Sequence, residues 1–188
     1  KLDKEKTAEV VQNLLVSHPK LWDLDFPYRY TVETIIKKGG KTIDKYLTPF
    51  GIRSVKFDKD KGFFLNNKHL KLKGMCLHQD AGCLGTAVPD RAYERRLLIL
   101  KEFGTNAIRC SHNPPSPEFL NYCDSIGFLV IDEAFDKWKS GYYEEFFDSS
   151  WQQDISDMVI RDRNHPSVIL WSIGNELAEA KLKDDTGI

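Results

Sequence analysis

Apolar residues fall into two rhythms along this chain of 188 residues, and the change comes near residue 70. Early on the beat is two. Tyr30, Val32, Thr34 and Ile36 alternate with Thr31, Glu33 and Ile35, which predicts a strand with one buried face. "EVVQNLLVS" reads as another short strand, the Pro-bracketed "HPKLWDLDFPY" as a loop, and Gly39-Gly40 as a turn. Short strands separated by turns indicate a β-sandwich or its last strands, ending near residue 55. Around "DKDKG" and "LNNKH" a hairpin is expected, with Asn66-Asn67 at its tip.

Beyond Leu70 the pattern alternates between strand and helix. "LKLKGMCLH" is a predicted strand. "PDRAYERRLLILKEFG" is a helix, with Asp90 as the expected N-cap, Tyr93, Leu97, Leu100 and Phe103 at helical spacing, and Gly104 as the stop. "TNAIRCS" is the next strand. "SPEFLNYCDSIG" is a helix opened by Ser116-Pro117 and closed by Gly127. "FLVIDEA", "SSWQQDISDMVIRDRN" and "SVILWSIGNE" continue as strand, helix and strand. Such alternation implies parallel pairing through right-handed crossovers. Four β/α units from residue 56 onward make half of an eight-fold barrel, and could also make an open doubly wound sheet. No Gly-rich loop follows any strand, which counts against nucleotide binding. A half barrel leaves two bare edges, so a longer parent chain, a covering partner or self-association is expected. The non-Met start at Lys1 and the unfinished "AEAKLKDDTGI" point the same way, to a piece of a longer chain.

Charge and cysteine content add little. Lys and Arg number 27 against 28 Asp and Glu, so no electrostatic case exists for nucleic acid or a membrane surface, and no apolar run reaches eighteen residues. The four cysteines lack metal-site spacing. Cys76, Cys110 and Cys123 stand among apolar residues, so buried free thiols are expected there.

The chemistry collects where the strands end. The first delivers His78 and Asp80, the second Arg109, Ser111 and His112, the third Asp132 and Glu133, the fourth Asn175 and Glu176. In a barrel these ends share one rim, where active sites lie. Any one of them has a plainer explanation as helix cap, ion-pair partner or loop histidine. Polar residues after all four strands are harder to explain that way.

"NAIRCSHNPPSPEFLNYCDSIGFLVIDEA" and "DRNHPSVILWSIGNE" resemble the two signature segments of glycoside hydrolase family 2, the β-galactosidases, β-glucuronidases and β-mannosidases. "KLWDLDFPYRYTV" and "GFFLNNKHLKLKGMCLHQD" resemble that family's passage from an immunoglobulin-like sandwich into its barrel. The resemblance implies an immunoglobulin-like segment over 1–55, the first half of a TIM barrel over 56–188, and a retaining β-glycosidase most similar to β-galactosidases. It implies that Glu176 is the general acid/base and that Asn175 binds the sugar 2-hydroxyl. It further implies that Arg109 supports the nucleophile, and that His112 and His78 contact the sugar or its transition state. Asp80 joins this substrate-binding set. Trp138 is either a sugar-stacking platform or a packed loop aromatic.

A glycosidic oxygen leaves poorly, so a carboxyl group must protonate it and then, ionised, deprotonate water. That acid is expected in poorly solvated surroundings or beside another carboxylate. The family's nucleophile follows a later strand than the fourth, so the chain alone is expected to be inactive. Some β-galactosidases of the family hold magnesium through a Glu and a His just beyond "DEA" together with the acid/base. Lys137 and Lys139 stand there instead, and charged ammonium groups cannot ligate a cation. No cofactor is therefore expected, and one lysine replaces part of the metal's charge. The expected partner is a β-glycoside or oligosaccharide. The rival readings are a non-catalytic carbohydrate-binding or structural module of the same fold, and a phosphate-binding barrel, for which the glycines are missing.

Overall fold

A computed structural model describes residues 7–177 of the chain. The first regular element is a long antiparallel hairpin, β1 (Tyr30–Lys38) with β2 (Lys41–Phe50), turning at Gly39-Gly40. The expected buried face is not formed. Ile35, Ile36, Ile43, Tyr46 and Leu47 are exposed, because a two-stranded ribbon has no second sheet to pack on. Residues 7–29 hold no strand, so "EVVQNLLVS" does not form one, and no sandwich is assembled among the described residues.

A second small sheet follows: β3 (Val55–Asp58), β4 (Gly62–Leu65) and β5 (Lys68–His69), ordered β3-β4-β5. Asn66 and Asn67 form its tip with φ of 50° and 63°, left-handed values that asparagine tolerates better than most residues. This sheet carries Phe63 and Leu65 into a cluster with Trp22 and Leu129. Trp22 is fully buried, and its indole N–H donates to the carbonyl of Asp124 at 2.8 Å. The neighbouring seam is polar: Lys101 Nζ bonds the carbonyls of Leu24 (2.9 Å) and Gly127 (2.7 Å), and Arg53 bonds those of Pro166 and Val168. The N-terminal segment thus closes off the end of the third sheet where its strands begin.

That third sheet is wholly parallel and ordered β6-β7-β8-β9: β6 (Gly74–His78), β7 (Ala107–Ser111), β8 (Leu129–Glu133) and β9 (Val168–Ser172). The crossovers are α1 (Asp90–Glu102), α2 (Pro117–Ile126) and α3 (Glu144–Asp162). Tyr93, Leu97, Phe119, Leu120 and Cys123 of α1 and α2 pack on Ile108, Cys110, Val130 and Val168 of the sheet. Burying each large side chain contributes roughly 1.5–3 kcal/mol. The helices lie on one face only, as in a barrel wall, whereas a doubly wound sheet carries helices on both. The other face is covered by the Trp22 cluster where its strands begin and is open beyond, which corrects the expectation for Cys76: it is exposed there, while Cys110 and Cys123 are buried.

The helix signals held for α2, where Ser116 Oγ accepts from the N–H of Phe119 at 3.2 Å, Pro117 opens the helix and Gly127 closes it at φ 84°. Asp90 is not a cap. It is the first helical residue of α1, Pro89 precedes it, and no side chain bonds the helix start. Helix α3 begins at Glu144, five residues before the "SSWQ" start expected from the sequence.

Candidate active site

Pleating sends alternate residues of each strand to opposite faces. On the open face Cys76, Arg109, Ile131 and Leu170 stand side by side in register, with Glu133 beside Ser172 in the row above. Glu133 is the hub of that row. It is fully buried, and its carboxylate accepts from Arg109 Nε (3.0 Å) and Nη2 (2.8 Å to Oε2, 3.0 Å to Oε1). Ser172 Oγ donates to the same carboxylate at 2.7 Å, and His112 Nδ1 lies 2.6 Å from Oε1. An isolated buried carboxylate would be costly, and these partners offset that cost. Bonding to Glu133 raises the pKa of Arg109 against the opposing effect of burial, so the guanidinium is charged throughout the working range.

From the hub a polar chain runs to the end of β9. Arg109 Nη2 also donates to Asn175 Oδ1 at 2.9 Å. Asn175 Nδ2 donates to Asp136 Oδ1 at 2.9 Å, and the Asn175 backbone N–H donates to the Asp136 carbonyl at 2.6 Å. Lys137 Nζ bridges outward, 3.0 Å from Asp136 Oδ1 and 3.1 Å from Glu176 Oε2. Hydrogen bonds from Asn175 and then Lys137 hold the Asp136 carboxyl below its ordinary range. Those to Asp136 and then Glu176 raise the Lys137 ammonium above its own. Glu176 itself has φ 49°, a left-handed backbone that costs a non-glycine residue on the order of 1 kcal/mol.

Of the residues singled out in the sequence, Arg109, His112, Asn175 and Glu176 therefore join one network. His78 sits edge-on to His112, their ring centroids 5.3 Å apart. Asp80 is not part of it; its side chain faces Arg96 Nη2 at 3.5 Å, outside the hub. Trp138 is packed on one side of its ring. Its indole N–H donates to the Ile173 carbonyl at 2.8 Å, and one ring face stacks on Phe147 at 5.4 Å. The dry setting expected for Glu176 is not supplied by residues 7–177: its side chain is 73 % exposed and its described partner is an ammonium. A cleft of about 690 Å³ opens alongside, bordered by His112, Asp136, Lys137, Tyr142 and Tyr143.

These groups do not fit a divalent cation. At Glu176 the position beside the carboxylate is taken by Lys137, and Lys139 pairs instead with Asp148 at 2.9 Å. Among the described residues no three His, Cys, Asp or Glu side chains are grouped to hold a metal.

The sequence profile of the glycosyl hydrolases family 2 TIM barrel domain matches residues 55–185, and a second family 2 profile matches residues 1–53. The chain belongs to glycoside hydrolase family 2. The β-galactosidase BoGH2A of Bacteroides ovatus is 51 % identical over 98 % of this chain and 23 % of its own length. A β-glucuronidase of Bacteroides fragilis is 35 % identical over 92 % of the chain and 26 % of its own. Among solved structures, a family 2 member from Bacteroides cellulosilyticus superposes with a TM-score of 0.81 at 51 % identity, over 85 % of this chain and 21 % of that one. A β-glycosidase from Bacteroides vulgatus gives 0.83 at 45 % identity, over 87 % and 22 %. The family 2 chain described here thus spans about a quarter or less of such relatives.

Sequence reasoning set Glu133 on the rim but gave it no task, and gave none to Asp136 or Ser172. Glu133 had part of a signal: in "LVIDE" it shares strand parity with Ile131, so both face the same way, but the register that sets Ile131 beside Arg109 is a product of the fold. Asp136 had none, because its contacts depend on loop geometry, and Ser172 had none, because its meeting with Glu133 depends on the register between β8 and β9.

Proposed function

We propose that this chain supplies the acid/base side of a retaining exo-β-glycosidase site, with terminal β-linked galactose as the favoured substrate. The observation that carries the reading is Asn175, fixed from both sides by Arg109 and Asp136 immediately before Glu176. An amide has two N–H donors. Asp136 engages one, leaving the other for a sugar 2-hydroxyl, where hydrogen bonding tightens as charge develops at the anomeric carbon. Glu176 then protonates the leaving oxygen and later deprotonates water. Glu133 touches no substrate in this scheme; it aims Arg109 and His112. Lys137 holds Glu176 and Asp136 with a single fixed positive charge.

The nucleophile, a second carboxylate about 5–5.5 Å from Glu176 in a retaining enzyme, comes from a strand outside this chain. Residues 1–188 alone are accordingly inactive. The choice of galactose rests on the 51 % identical β-galactosidase, and glucuronide is the alternative carried by a more distant relative.

The test is hydrolysis of aryl β-galactosides and β-glucuronides by the full-length protein and its Glu176→Gln variant. Loss of the acid is expected to cost about 10²–10⁴-fold with poor leaving groups, and much less with activated ones. Equal losses for both kinds, or turnover by the isolated chain, would sink the proposal.

A further inference from the structure

On the other face of β8, directly behind the hub, lie two more buried carboxyl groups with no part in that chemistry. Asp132 and Asp162 are both fully buried. Asp162, the last residue of α3, accepts from Arg161 through both oxygens, at 2.8 Å from Nε and 2.7 Å from Nη2. The same Nη2 donates to the Pro115 carbonyl at 2.7 Å, in the loop three residues beyond His112. Neither oxygen of Asp132 has a hydrogen-bond partner of good geometry among the described residues, the Glu133 backbone N–H being only a weak neighbour. What it meets is the carboxyl of Asp162.

Two carboxylates against one guanidinium leave a surplus negative charge with no water to solvate it. A retained proton removes the surplus: one carboxyl stays neutral and donates its O–H to the other. We propose that Asp132 and Asp162 share one proton, and that this neutral pairing fixes Arg161, whose grip on Pro115 positions the His112 loop against Glu133. Losing the proton sets two anions around Arg161 and releases the loop. Asp132 is thus a positioning residue, and its link to catalysis rests on the glycosidase reading above.

Burial and then Asp162 push Asp132 from 3.8 to about 8. The groups facing it are few. Asp162 and Arg161 come from α3, with Glu118 of α2 behind the guanidinium. Cys110 comes from β7, its thiol held well above its ordinary value by burial. Glu133 points to the opposite face, and β9 contributes Trp171, which does not titrate.

The test compares the full-length protein with Asp132→Asn, whose amide donates to Asp162 but cannot ionise. A carboxyl whose folded pKa is raised costs stability as pH climbs from its unfolded value to its folded one, here from 3.8 to about 8. The wild-type melting midpoint is therefore expected to fall across that window and the variant's fall to be much reduced. Amide hydrogen exchange at Phe119 and Leu120, whose N–H groups bond Ser116 beside Pro115, corrected for intrinsic rates, is expected to lose protection above about pH 8 in wild type only. The ratio of kcat/KM at about pH 8.5 to that at about pH 6.5 is expected to rise about threefold in the variant.

Parallel midpoint curves would overturn the shared proton. A flattened midpoint with unchanged exchange at Phe119 and Leu120 would overturn the link to the His112 loop. Neither readout needs turnover, so absence of glycosidase activity would defeat the functional reading and leave the brace to be judged separately.

Discussion

Arg109 meets Glu133 through both Nε and Nη2, and the carboxylate it grips is wholly shielded from solvent while the guanidinium side chain stays 30 % exposed. The two partners are therefore unequal. Removing the arginine strands a buried anion, whereas neutralising the glutamate leaves a cation that still reaches water.

Arg109→Met is expected to destabilise the fold by about 3 kcal/mol, with His112 and Ser172 limiting the loss, and Glu133→Gln by clearly less. Thermal melts of the full-length protein check the ordering. The reverse ordering would mean that Arg109, not Glu133, carries the greater desolvation burden.

Lys137 sits in an exposed bridge, so Lys137→Met is expected to leave the melting midpoint nearly unchanged. Its effect is expected in kcat, a fall of about three- to tenfold with little change in KM, because Glu176 and Asp136 lose their common tether. Added magnesium is not expected to restore the loss, since the variant gains no oxygen donor. A KM effect without a kcat effect would place Lys137 on the substrate instead.

Trp138→Phe keeps the stack on Phe147 and removes one hydrogen bond to Ile173. KM for an aryl glycoside is expected to stay within about twofold and stability to fall by about 1 kcal/mol. A large rise in KM would assign it the sugar-platform role.

Gly127→Ala is expected to be among the most damaging small changes. Gly127 has φ 84°, and a Cβ there would collide with the carbonyl of Leu24, so backbone strain of roughly 1–3 kcal/mol adds to a steric conflict across the seam. A melting midpoint equal to wild type would show that the N-terminal segment is not seated there in solution.

Local pattern alone determined much of this molecule. The 3.6-residue spacing of Tyr93, Leu97 and Leu100, the Ser116-Pro117 opening and the Gly127 stop specify helices whose ends depend on nearest neighbours, and the alternating elements specify a parallel sheet. The alternation of strand and helix was enough to set the residues toward the strand ends, Arg109 and Glu176 among them, near one rim, because a parallel sheet carries all its strand ends to the same side.

Only the tertiary structure decided which polar residues meet. Glu133 became the hub because register sets it beside Ser172 and near Arg109, and no spacing rule encodes a register between strands 24 and 39 residues apart in their contacts. It sent Asp80 to Arg96 and Trp138 onto Phe147, since loops point wherever packing takes them. It also left β1 and β2 bare-faced, because alternation fixes which side of a strand is apolar but not whether anything arrives to cover it.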